Sequence, residues 1–215
     1  LKYYNEGTND YTNILYYGEA LNVMQGYMIK TDASFTPTYE GDFNTGTVTF
    51  NTAYSGAGLG YNFVGNPFTS AIDWEASSGW GGSGYDDNIW VYNGSSFDYY
   101  NGGTGLPSGG QYIAMNQGFF VQATVGASIS MTNAVCLHNP VSFQKNQMSD
   151  QEVVRLTLSS NDLVDDAYVV FKEGATIEYE GTFDTHKLFS FDPDYPQIYS
   201  TANDFMAINS LPYNY

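Results

Sequence analysis

Apolar and polar residues alternate along much of the chain, and the spacing of an amphipathic helix is almost absent. Short runs rich in β-branched and aromatic side chains recur between clusters of Gly, Asn, Ser and Pro. The runs that predict strands are GYMIKT, TVTFNT, NIWVYN, GFFVQAT, SISMTN, VVRLTLS, AYVVFK and HKLFSF. Short, evenly punctuated strands of this kind are typical of an all-β fold built from antiparallel β-sandwiches, either jelly-roll or immunoglobulin-like.

The sequence contains an internal repeat. Each copy has a Tyr-Asn strand end, an aromatic loop, and a Gln-Gly turn that precedes an apolar strand. The matching segments are 2–13 with 20–41 in the first copy and 91–103 with 112–133 in the second. The repeat predicts one β-sandwich over 1–143, with copies at about 1–50 and 61–135.

A second β-sandwich module is predicted over 150–215, after a polar connector at 137–150. About five predicted strands are few for a closed sandwich. We therefore expect this module either to continue past Tyr215 or to accept a strand from elsewhere. Two segments rich in Gly and Ser, 75–87 and 101–111, are predicted to be surface loops because they offer no apolar face to bury.

The segment YNFVGNPFTSAIDW, at 61–74, predicts a structural corner. A strand ends at a Gly-Asn-Pro turn, in which Asn66 is expected to bond nearby backbone groups. Trp74 is expected to close the end of the core, and Asp73 to cap backbone amides beside it.

Composition narrows the classes of partner. Six Lys and Arg residues against 23 Asp and Glu residues give a formal net charge of −17, which repels phosphate backbones and excludes nucleic acid. No apolar run is long enough to cross a membrane. Charged residues make up 13% of the chain and aromatic residues 17%, with polarity supplied largely by Asn, Ser, Thr and Gly, which is typical of a secreted β-protein.

No catalytic motif stands out, and no catalytic residue is assigned. Cys136 is the one cysteine, so an intramolecular disulfide is excluded, and its apolar setting predicts a buried thiol. His138 and His186 share no local motif with it or with each other. Carboxylates are so abundant that pairs arise by chance. Those considered are Asp73, Asp86, Asp87, Glu178 and Glu180.

Calcium is the one cofactor that the sequence leaves possible, because hard cations take oxygen ligands from acidic loops. Asp162, Asp165 and Asp166 have loop-like spacing and form the first candidate metal site. Two further sets are Asp192 with Asp194 and Asp86 with Asp87. None has the EF-hand spacing, and the sequence favours the interpretation that these residues cap turns.

Aromatic residues in the predicted loops form a candidate ligand-binding set. Trp80 and Tyr85 fall in the first loop, and Tyr99 and Tyr100 border the second. Exposed aromatic rings stack on sugars and also serve as anchors in protein interfaces. The alternative is that they pin their loops to the body of the protein.

The motifs also carry a family resemblance. GYNFVGNPFTSAIDW, NIWVYNGSSFDYYNGG, YIAMNQGFFVQAT and AYVVFKEGATIEYEGTFDTHKLF occur in this order. The chain thereby resembles the C-terminal region of secreted Bacteroidota proteins exported by the type IX secretion system, where GWNLVGNPYPSAIDW is a recurrent signature. Tyr61 and Phe63 replace Trp and Leu of that signature. The resemblance implies a location outside the cell or on the outer-membrane surface, next to a sorting domain that this sequence does not contain.

These features favour a non-catalytic structural, adhesive or stalk-like module of a large secreted or cell-surface protein. Its partners would be proteins, either other copies or neighbouring domains, or glycans. One alternative is a carbohydrate-binding accessory module of a secreted polysaccharide-degrading enzyme. Another is a subunit of an extracellular fibre in which one chain's strand completes the next.

Overall fold

The computed structural model describes the chain except for residues 16–17, 32–35, 37, 39, 57–58, 94–95, 103, 107–109, 138–151, 162, 191–193 and 214–215. The strands are β1 (Lys2–Asn5), β2 (Asp10–Asn13), β3 (Tyr27–Met28), β4 (Val48–Asn51), β5 (Tyr61–Gly65), β6 (Ile72–Asp73), β7 (Trp80–Tyr92), β8 (Phe97–Asn101), β9 (Thr104–Leu106), β10 (Tyr112–Ile113), β11 (Gly118–Met131), β12 (Glu152–Ser160), β13 (Leu163–Phe171), β14 (Thr185–His186), β15 (Ser200–Thr201) and β16 (Phe205–Leu211). Two 3-10 turns, at Glu6–Thr8 and Asn133–Val135, are the helical elements of the described residues. The predicted all-β sandwich class is confirmed.

The chain divides into two compact units. Unit 1 comprises Leu1–Tyr85 and Tyr112–Ser142, and unit 2 comprises Asp86–Gln111 and Phe143–Tyr215. This division differs from the sequence-based one, 1–143 and 150–215, because it groups 86–111 with the C-terminal strands. Side chains in that segment bond the backbone there: Asn88 Nδ2 donates to the Asp184 carbonyl at 3.3 Å, and Trp90 Nε1 donates to the His186 carbonyl at 3.2 Å.

In unit 1, β11 is the central strand. It pairs antiparallel with both β4 and β5, and the first residues of β7 lie beside it. β1 lies between β2 and β3, and β6 pairs with β10. The core includes Phe63 of β5, whose ring stacks on that of Phe120 with centroids 4.6 Å apart. Tyr4 of β1 meets Phe120 edge-on at 5.2 Å.

The two Gln-Gly turns of the repeat meet at one aromatic ring. A Cβ atom on Gly26 would lie 2.6 Å from the Phe63 ring, and one on Gly118 would lie 2.5 Å from the opposite end of the same ring. Real Cβ atoms do not approach other atoms so closely, so both positions require glycine. The repeated motif thus serves to hold Phe63 between two backbone segments.

The segment 61–74 forms the predicted corner. Asn66 is 7% exposed, and its Nδ2 donates to the carbonyls of Ser70 at 2.8 Å and Ala114 at 3.0 Å. Its Oδ1 accepts a hydrogen bond from the Phe68 amide at 2.9 Å. The cap by Asp73 is confirmed, since its Oδ1 accepts from the Glu75 amide at 2.9 Å.

In unit 2, the residues of β7 from Asn88 onward pair with β8, and β8 pairs with β9. The C-terminal strands lie in the order β12-β13-β16-β14, with β15 also on β16. β13 and β16 run parallel, which departs from the purely antiparallel sheets expected. The chain between them is long enough to return to the starting end, as a parallel connection requires.

The segment predicted as a loop at 75–87 is largely strand, since β7 begins at Trp80. Gly82 has a φ of 98°, and a Cβ there would lie 2.0 Å from the Ser128 carbonyl oxygen of β11. Glycine therefore permits a close approach between strands here rather than a mobile turn. Within 101–111, Thr104–Leu106 forms β9. No helix in the described part of the chain has the length and apolar character needed to cross a bilayer.

The corner gives a prediction about relative stability. Asn66→Ala removes two donors, to the Ser70 and Ala114 carbonyls, and the acceptor of the buried Phe68 amide, and should lower the free energy of unfolding by about 2–3 kcal/mol. Asp73→Ala removes one half-exposed cap and should cost about 1 kcal/mol. Chemical denaturation of both variants checks the order. Equal losses would show that Asn66 does no more than an ordinary turn residue.

Candidate interaction surface

Two of the predicted ligand-binding aromatics lie together in unit 1. Trp80 is half-buried, its ring lies 4.7 Å from that of Trp74, and its Nε1 donates to the Asp73 carbonyl at 2.8 Å. Tyr85 is half-buried, with its ring 6.2 Å from Trp74, and its hydroxyl donates to the Gly81 carbonyl at 3.3 Å. Both side chains therefore anchor their own segment against the corner.

The other two aromatics, Tyr99 and Tyr100, require a correction. Both residues lie within β8, which runs between β7 and β9. Tyr99 is 1% exposed and Tyr100 is 5% exposed. Burial removes their rings from contact with a ligand at the surface.

The predicted calcium ligands are also placed differently. Asp165 and Asp166 are consecutive residues of β13, so their side chains point to opposite faces of the sheet. Asp162 lies outside the described residues. No cluster of three or more His, Cys, Asp or Glu residues suited to a metal ion occurs in the part of the chain that the structure describes.

Each of the two carboxylates has a cation as its partner. Lys187 Nζ lies 2.6 Å from both carboxylate oxygens of Asp165, and both side chains are buried. The Ile198 amide also donates to Asp165, at 2.7 Å. Burial lowers the pKa of Lys187, and the hydrogen bonds that Lys187 donates to Asp165 oppose this effect. A buried charge requires a close partner of opposite sign, and Asp165 supplies that partner to Lys187.

On the opposite face, Arg155 forms a two-pronged ion pair with Asp166, at 2.9 Å from Nε and 2.7 Å from Nη2. Thr157 donates a further hydrogen bond to Asp166 at 2.7 Å. Burial acts to raise the pKa of Asp166, but the hydrogen bonds from Arg155 and Thr157 outweigh it and lower the pKa. Asp166 is therefore occupied as a structural carboxylate.

His186 lies in a small polar cluster of unit 2. Its ring stacks on Tyr179 with centroids 4.1 Å apart, and its Nε2 lies 3.6 Å from Asp204 Oδ2. The Tyr179 hydroxyl donates to Asp86 at 3.4 Å. Burial lowers the pKa of His186, against the raising effects of Asp204 and Asp86. Sequence reasoning singled out His186 but had no means of finding these partners, which are distant along the chain.

The remaining candidates have local structural contacts. Glu180 Oε2 accepts from the Thr176 amide at 3.0 Å, and Glu178 accepts from the Asn203 side chain. Cys136 is half-buried and bridges to Ile72 through the backbone. His138 lies outside the described residues.

An exposed apolar row on unit 2 was missed by the sequence analysis. Val154, Leu156 and Leu158 of β12 are 47%, 41% and 40% exposed. They share one face because they are two residues apart, and Leu163, 36% exposed, joins them through its pairing with Ser160. The alternation in VVRLTLS predicted the strand. The exposure of its apolar side chains follows from the position of β12 at the edge of the sheet.

The two strands that carry this row hold few charged residues. β12 and β13 contain four charged residues: Glu152, Arg155, Asp165 and Asp166. The last three belong to the two ion pairs, one with Lys187 and one internal. An apolar, nearly neutral edge is therefore present on a chain whose net charge is −17.

The fold and this surface together define an all-β module in which β12 has a neighbour on one side only, among the residues that the structure describes. Residues 43–194 match the family model described as zonadhesin, second cohesin-like domain. The match spans well over half of the sequence, and the chain belongs to this family. No curated protein and no solved structure matches the chain significantly.

The buried ion pair predicts a strong asymmetry among variants. Lys187→Met leaves Asp165 charged and unpaired, and should lower the free energy of unfolding by about 3–5 kcal/mol. Arg155→Met should cost less, because Arg155 is half-exposed. The double variant Lys187→Met/Asp165→Leu should recover most of the loss, because no unpaired charge remains. A double variant no more stable than Lys187→Met would contradict this account.

Stability should also depend on the protonation of His186. Its pKa is lowered in the folded state, so its contribution is present above the ordinary value of 6.5 and is lost as the pH falls through the folded pKa. We expect the melting temperature to fall between about pH 7.5 and pH 5.5. His186→Phe keeps the stacking on Tyr179 and should flatten this dependence. Burial raises the pKa of Asp86 in the folded state. Protonation of Asp86 therefore favours the folded state as the pH falls further, which opposes the effect of His186. If His186→Phe kept the pH dependence of the wild type, His186 would not be the group responsible for it.

Proposed function

We propose that the chain is a non-catalytic adhesive or structural module that binds a protein partner along the edge strand β12. The observation that carries this proposal is the exposed row formed by Val154, Leu156, Leu158 and Leu163. An open edge strand offers unpaired backbone groups to an incoming strand, and the apolar row offers side-chain contacts on one face.

Family membership supports the same reading. The matched family is a cohesin-like domain of zonadhesin, and such a domain suggests an adhesive or structural role with protein partners rather than catalysis. Hydrogen bonds, ring contacts or ion pairs engage six of the candidate residues for chemistry, namely Asp73, Asp165, Asp166, Glu178, Glu180 and His186. Their contacts explain their presence without a reaction.

The proposed setting is the extracellular surface. A net charge of −17 with few basic residues is compatible with a soluble, secreted module and unfavourable for anionic partners. Export by the type IX route, as part of a larger surface protein, belongs to this proposal on the strength of the quoted motifs. A glycan-binding role is less well supported, because Tyr99 and Tyr100 are buried.

A binding comparison tests the proposal. The folded chain is applied to an array of extended peptides with alternating apolar and polar residues, each of 9 residues like β12, and to a glycan array. Leu156→Lys disrupts the apolar row, whereas Ile177→Lys makes the same change at a side chain that is 54% exposed and lies outside β12. We expect peptide binding by the wild type and by Ile177→Lys, and a loss of about tenfold or more in Leu156→Lys.

Two results would contradict the proposal. One is binding to glycans alone. The other is peptide binding that Leu156→Lys and Ile177→Lys reduce equally, since β12 would then have no special part. Thermal melts of both variants establish that each is folded before its binding is compared.

A further inference from the structure

The edge of β12 has a sequence that is complementary to itself. We propose that β12 pairs antiparallel with β12 of a second copy, about a two-fold axis that is perpendicular to the sheet and passes by Leu156. The inference rests on the proposed function, because it uses the same edge strand and names its partner.

The register follows from the positions of the apolar residues. With the axis at Leu156, this residue faces its own copy, and Val154 faces Leu158 of the second chain. An axis perpendicular to the sheet keeps both apolar rows on one face, where directly opposed side chains contact each other. All three exposed apolar residues of β12 then find apolar partners.

Neighbouring registers are less favourable. An axis at Arg155 would place this residue opposite its own charge and Leu158 opposite Glu152. An axis at Thr157 would place Leu156 opposite Leu158 but Val154 opposite Ser160, so one apolar side chain loses its apolar partner. In the proposed register Arg155 faces Thr157 and Glu152 faces Ser160, so no like charges are opposed.

The charge distribution agrees with a second copy as the partner. Each chain carries −17 overall, which repels another copy at long range, but the ion pairs of Asp165 and Asp166 leave the contacting strands nearly neutral. At physiological ionic strength, salt largely screens the repulsion between exposed charges that are more than about 8 Å apart. Self-association should therefore strengthen as salt is added, whereas binding of a basic partner should weaken.

The two-fold pairing closes on itself. Both copies use the same strand, so both open edges are consumed and a dimer results rather than a fibre. This differs from strand completion along a chain, which would leave an open edge at each end.

Disulfide trapping tests the register. In a Cys136→Ser background, which removes the one native cysteine, Leu156→Cys places two thiols directly opposite each other. Opposed Cα atoms in an antiparallel pair lie about 4.5–5.5 Å apart, within the range that a disulfide spans. Leu158→Cys is the matched control, because its two copies would be offset by about four residues, or about 14 Å. A mixture of Val154→Cys and Leu158→Cys chains should cross-link with each other.

We expect a disulfide-linked dimer from Leu156→Cys and from the mixture, and little from Leu158→Cys alone. Sedimentation of the wild type at about 0.05 M and about 0.5 M NaCl should show more dimer at the higher salt. Cross-linking of Leu158→Cys as efficient as that of Leu156→Cys would overturn the register. A wild type that stays monomeric at both salts, with no trapped dimer, would overturn the inference.

The last outcome is separable from failure of the proposed function. A monomer that still binds strand peptides through Leu156 keeps β12 as an interaction surface and assigns it to a different protein. A monomer that binds neither peptides nor its own copy removes both. Melting temperatures of the cysteine variants, compared with the Cys136→Ser parent, show whether each is folded before trapping.

Discussion

Backbone hydrogen bonding is the constraint on which the rest of this structure depends. Short strands leave many amides and carbonyls beyond the reach of a neighbouring strand, and a buried unpaired group is costly. In unit 1, side chains supply the missing partners. Asn62 bonds both the amide and the carbonyl of Ala53, at 2.8 and 2.9 Å, and Glu6 accepts from the amides of Ser55 and Gly60. Asn62 and Asn66 thus show one use of short polar side chains in a fold built from short strands.

Local sequence reasoning succeeds where the structural reason is itself local. The all-β fold class could be predicted from the alternation of apolar and polar residues. The corner at 61–74 could be predicted because Asn and Asp bond backbone groups a few residues away. The Gln-Gly repeat was visible, but its purpose was not, since Gly26 and Gly118 meet only through the ring of Phe63. A pattern thus identified the residues, and only the packing explained them.

The wrong placements have two physical causes. Glycines in a strand that approaches another strand closely look like loop glycines in sequence, as Gly82 does. Consecutive carboxylates look like a cluster, but in a strand Asp165 and Asp166 lie on opposite faces. The cation that pairs with Asp165 is Lys187, which is distant along the chain. The sequence does not show which segments lie side by side, so this pair could not be predicted from it.

The two ion pairs have a consequence beyond stability. A chain with 23 acidic residues repels its own copies, which opposes indiscriminate contact between open sheet edges. Asp165 pairs with Lys187 and Asp166 pairs with Arg155, so the negative charges of β13 are neutralised locally. The repulsion between copies is therefore weaker at β12 and β13. The exposed apolar row lies where the opposing charge has been neutralised. Charge placed elsewhere on the chain therefore limits strand pairing, and the paired aspartates determine where pairing is permitted.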